Sequence, residues 1–119
     1  MISLSAFERA LVAHLAADWI FQNDWMAANK TSLKHPAAWV HAAINALFLG
    51  LALGWVGGAV LGIVHALIDT RVPLNWWQRV YRQTSEGYSA DITRIMVDQS
   101  MHILSIAVWI ALASWFQIR

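Results

Sequence analysis

The chain has 119 residues, a formal net charge of +1, 59% hydrophobic and 13% charged residues, and no cysteine. Soluble domains are about 45–50% apolar and about 25% charged, so the skew points to a single integral membrane domain over 1–119. A charge this small gives no basis for nucleic-acid binding, and the lack of cysteine excludes disulfides and thiolate metal sites.

The first apolar run, roughly Leu4 to Gln22, carries Glu8, Arg9, His14 and Asp18 and has no basic leader, so a cleaved signal peptide is not expected. A polar connection follows over 23–35. The second span is expected from Pro36 to Leu53, with Pro36 suited to a first helical turn. A tight turn in LGWVGG (53–58) leads to a third span, Val56 to Asp69, which is short against the about 20 residues that a crossing needs. Gly54, Gly58 and Gly62 permit close helix approach there, or serve only the turn. The basic connection over 71–89 contains Leu74 to Arg82, which is expected to lie as an interfacial helix. The last span is expected from Asp91 to Gln117. The fold expected is all-α: a four-helix transmembrane bundle, third helix short, with an interfacial helix between helices 3 and 4. Eight tryptophans agree with interfacial anchoring. Lys30, Lys34, Arg71, Arg79 and Arg82 lie in the connections after the first and third spans. The positive-inside rule puts those connections in the cytoplasm and both termini outside.

Each span also carries polar residues four apart, a spacing that puts two side chains on one helical face. They are His14 with Asp18, His41 with Asn45, His65 with Asp69, and Asp98 with His102. All four pairs fall toward the cytoplasmic ends of their spans. An ionisable group at mid-membrane costs about 2.5–3.5 kcal/mol on insertion scales, so these groups must face each other, water or a metal. Imidazole and carboxylate suit Zn, Mn or Fe, and facing helices that project them inward can hold one or two ions. The metal ligands expected are His14, Asp18, His65, Asp69, Asp98 and His102. Asp18 or Asp98 is the candidate catalytic base. His41, Asn45, Gln22 and Gln99 are candidates for substrate contact or for supporting the ligands. Glu8 is off the shared face. A purely structural His/Asp network and a proton or cation path remain open alternatives. The regular carboxylate beside each histidine argues against haem.

The run AHLAADWIFQNDWMAANK, together with HALID and DQSMH, resembles the small bacterial and phage membrane proteins of the domain-of-unknown-function 3307 family. The pattern H-x-x-x-D-[FW]-x-x-Q-x-D-W-M-A-x-x-K falls on His14, Asp18, Trp19, Gln22, Asp24, Trp25, Met26, Ala27 and Lys30. H-x-x-x-D falls on His65 and Asp69, and D-Q-x-x-H on Asp98, Gln99 and His102. The resemblance implies an integral membrane protein and carries no activity. A looser likeness runs to bacterial inner-membrane proteins described as metal-dependent hydrolases, and is analogy only. The function expected is a metal-dependent hydrolase, Zn first with Mn or Fe as alternatives, in a bacterial inner membrane. It would act at the cytoplasmic side on a lipid-associated phosphoester or amide. The partners expected are the lipid bilayer, a lipid-like substrate and, as an open question, further copies of the chain. A cation or proton transporter and a structural membrane protein are the alternatives.

Overall fold

A computed structural model describes residues 3–83 and 86–118. Helix α1 (Ala6–Leu15) runs into a π-helical turn (Ala16–Ile20), followed by the short α2 (Asp24–Asn29), α3 (Pro36–Leu53), α4 (Trp55–Asp69), α5 (Val72–Tyr81) and α6 (Tyr88–Trp115). No strand occurs among the described residues.

Local chemistry accounts for the starts and stops. Ser5 and Glu8 form a capping box that begins α1. The Asn23 side chain accepts from the Met26 amide and begins α2, a helix inside a stretch expected to be only a polar connection. The His35 Nδ1 accepts from the Ala37 amide at 3.0 Å and caps α3. Gly54, at φ 94°, makes the one-residue turn between α3 and α4, where any side chain would be strained.

That turn folds α3 and α4 into an antiparallel hairpin. A Cβ on Gly58 would lie 2.5 Å from the Ala46 carbonyl oxygen and 2.6 Å from the Gly50 Cα. One on Gly62 would lie 2.7 Å from the Ala46 Cβ. The glycine series therefore serves contact within the chain. Arg9 of α1 donates to the Ala52 carbonyl at 3.3 Å, placing a cation at the α3 C-terminus, where the helix dipole favours it. Ala10, Ala13, Leu49, Leu61 and Ile106 form the apolar core between α1, α3, α4 and α6.

Among the described residues, two helices, α3 and α6, are long and apolar enough to cross a membrane. The pair α4 and α5 meets the same test only as one span, bent by 57°. The count of four spans therefore does not carry over, although four segments do surround the core. The first run ends at Ile20 instead of Gln22, and α1 alone has 10 residues. The expected interfacial segment is helical as α5, with Leu74 and Gln78 buried and Val72, Trp76 and Val80 exposed. Half of α6 is exposed, largely with apolar side chains such as Leu104, Val108 and Leu112, a surface suited to hydrocarbon. Exposed tryptophans sit at both ends of the bundle, with Trp19, Trp25, Trp76 and Trp77 toward α2 and α5, and Trp55 and Trp115 at the far end.

Candidate metal centre

The polar pairs meet where side chains from α3, α4 and α6 reach the carboxylate of the π-helical turn. The wider turn is closed by the Phe21 amide on the Ala16 carbonyl at 2.9 Å and carries Asp18 at its centre. Such turns recur at functional sites because they rotate one side chain out of the ordinary α register. Asp18 is 4% exposed and Asp69 2%, while His14, His41, His65 and His102 are each 1–2% exposed.

Four ligand atoms converge on one point. His41 Nε2 lies 2.8 Å from Asp18 Oδ1 and 3.3 Å from Asp69 Oδ2. His65 Nε2 lies 2.9 Å from Asp69 Oδ2 and 3.5 Å from Asp18 Oδ1. The two Nε2 atoms are 3.0 Å apart. Ligands bound tetrahedrally at about 2.0–2.1 Å from Zn stand about 3.3–3.4 Å from each other. The separations found here bracket that value, so the quartet can hold a metal ion. Hydrogen bonds alone satisfy it poorly. If both Nε2 atoms donate to carboxylates, two N–H groups oppose each other at 3.0 Å.

A second group adjoins the first through Asp69. His102 Nδ1 donates to the Asp98 carbonyl at 2.7 Å, which leaves Nε2 of the neutral ring as a lone pair. That lone pair faces Asp69 Oδ1 at 3.2 Å, and neither atom has a hydrogen-bond partner. Only an imidazolium proton or a cation makes this contact favourable. Asp69, Asp98 and His102 together also satisfy metal-ligand spacing.

The remaining residues support these groups. His14 Nε2 donates to Gln99 Oε1 at 3.0 Å, and Gln99 Nε2 donates to Asp18 Oδ2 at 2.8 Å and Asp98 Oδ2 at 3.3 Å. Of the six expected ligands, Asp18, His65 and Asp69 thus stand together, with His41 as the fourth in place of His14. His14 is 3.9 Å from Asp18 Oδ2 and stacks on His102 at 5.2 Å. Asn45 is fully buried and donates to the His41 carbonyl at 3.1 Å. Its Oδ1 and His41 Nδ1 are both buried without a partner. Gln22 lines the opening, with its Oε1 also unpartnered. Asp69 is buried although Arg71, two residues on, is exposed. Arg94 bonds Asp91 at 3.1 Å. Exposed Glu8 is held by Ser5, away from the centre.

Lys30 enters the sequence reading through topology and the N-terminal motif, not as a site residue. Its Nζ lies 3.7 Å from Asp69 Oδ1 and 3.9 Å from Asp18 Oδ1. The Lys30 position in the long N-terminal motif was the one signal that tied it to Asp18. Above the centre, a pocket of about 230 Å³ opens between Asp18, Trp19, Gln22, Lys30, Arg71, Arg94, Asp98 and Gln99.

The family described as "Protein of unknown function (DUF3307)" matches residues 7–118. The chain belongs to this family. The match spans both candidate metal groups and every residue that lines the pocket. No curated protein and no solved structure matches the chain. These comparisons show no likeness to metal-dependent hydrolases.

Proposed function

We propose that the chain is a membrane-embedded metal-dependent hydrolase whose centre opens to the cytoplasmic side of a bacterial inner membrane. The observation that carries this reading is the approach of His41 Nε2 and His65 Nε2 to 3.0 Å, each beside both carboxylates, beneath an open pocket. Asp18, His41, His65 and Asp69 hold the ion, Zn by preference for a compact N/O tetrahedron, with Mn or Fe as alternatives. If water from the pocket side adds to these four ligands, a divalent ion there would acidify that water and polarise the substrate oxygen.

The other residues divide the remaining work. Asp18 is engaged by His41 and Gln99, whereas Asp98 lines the pocket with its side chain 16% exposed. Asp98 is therefore the base that takes a proton from water and returns it to the leaving group. Gln99 orients Asp18 and ties it to His14, and His102 lies behind Asp98 on the same helix. The substrate is a lipid-associated phosphoester or amide that reaches the pocket from the bilayer.

A cation or proton transporter is the second reading. It requires a path through the far half of the bundle, which is lined by the apolar Leu49, Leu61 and Ile106. The test is hydrolysis of short-chain lipid phosphoesters and acyl amides by metal-loaded protein in detergent. Turnover that is lost with chelator and in Asp98→Asn supports the hydrolase. Metal-dependent cation flux in vesicles without turnover supports the transporter.

A further inference from the structure

The pocket over the quartet carries more positive charge than the quartet itself uses, and we infer that it binds the phosphate of a phosphoester, which makes the substrate a phosphoester and not an amide. The inference rests on the hydrolase reading above and deepens it. The carboxylates of Asp18 and Asp69 balance one divalent ion. Lys30, Arg71 and Arg94 also line the pocket, with Asp98 as the remaining carboxylate. Lys30 faces Asp18 and Asp69, so once those oxygens bind a metal its charge needs another anion. Arg94 has Asp91 at 3.1 Å. With Asp91 and Asp98 both ionised, one positive charge is left over. A neutral amide leaves that charge unanswered inside a confined pocket, while a phosphate oxygen accepts charge-assisted hydrogen bonds from it.

Arg71 heads α5 at the bend from α4, and that turn keeps it at the pocket edge. The exposed Trp19 and Ile95 complete the rim and give an ester's hydrocarbon a place to lie. In hydrolysis one P–O bond forms from water and the ester P–O bond breaks. One water proton leaves with the alcohol, carried by Asp98.

The probe is inorganic phosphate, titrated calorimetrically into Zn-loaded full-length protein in detergent. Wild type is expected to bind it. Arg71→Gln and, independently, Arg94→Gln are expected to weaken binding by about tenfold or more with metal content unchanged. Lys34→Gln, exposed and outside the pocket, is expected to bind as wild type does. Competition by dihexanoyl phosphatidic acid against p-nitrophenyl phosphate names the source. Either ester winning supports the phosphate site, and the stronger one says whether it serves lipid or soluble esters. Fully metallated wild type that binds no phosphate, or variants that bind it unchanged, overturns the inference. A chain that takes up no metal fails the hydrolase reading alone. Phosphate binding to that metal-free protein, lost in Arg71→Gln, would still support the anion site.

Discussion

Removing one imidazole from the quartet leaves two buried carboxylates with one ligand fewer between them, and only the other imidazole and Lys30 to offset their charge. His41→Ala and His65→Ala are therefore expected to lose bound metal and about 3–5 kcal/mol of stability, read by metal content and thermal unfolding. His14→Ala removes only the group that holds Gln99, so metal is retained with affinity lowered about 10–100-fold. Glu8→Gln is expected to change neither. Asp98→Asn keeps the shape of the pocket and removes its base, so turnover should fall about 10²–10⁴-fold with metal content intact. At this scale the sequence was legible in one respect and opaque in another. Spacing of four and a shared depth predicted that Asp18, His65 and Asp69 would meet. Neither property gives the rotation of a helix about its axis, which puts His41 in the quartet and turns His14 toward Gln99. Nor does either say that Lys30, in a connection, folds back over Asp18.

Among the elements, the α3–α4 hairpin sets the height at which His41 and His65 face each other. At Gly58 the contact is backbone against backbone, with the Ala46 carbonyl and Gly50 facing it. Gly58→Ala would drive a methyl into the Ala46 carbonyl and the Gly50 backbone. The expected loss is about 1–3 kcal/mol, read as a lower unfolding midpoint, with weaker metal uptake as the helices move apart. An unchanged midpoint would show that the hairpin has slack. The bounds of α3 and α4 were legible because Pro36 and Gly54 punctuate them. The π-helical turn was not, because a four-residue spacing presumes an unbroken 3.6-residue period. Helix α2 also escaped notice, since six residues are too few to show a period and only the Asn23 cap marks it.

For the molecule as a whole, the polar centre, the pocket and the basic connections lie at one end, and the Arg9–Ala52 contact lies at the other. If basic residues stay in the cytoplasm, a C-terminal reporter that works only outside the inner membrane should be active, and one that works only in the cytoplasm should be silent. The opposite pattern would turn the pocket outward. The all-helical fold was readable from composition and apolar runs, but the number of crossings was not. Hydropathy cannot tell whether α4 and α5 form one bent span or a short span with a surface helix. The central claim is that the buried quartet holds a metal, and metal content of the purified, detergent-solubilised chain, paired with thermal unfolding with and without a strong chelator, tests it most directly. A ligand that binds only the folded state stabilises it, so the account predicts bound divalent metal and a midpoint that falls on chelation and recovers with Zn, Mn or Fe. Protein that is metal-free, fully folded and indifferent to all three ions would contradict it.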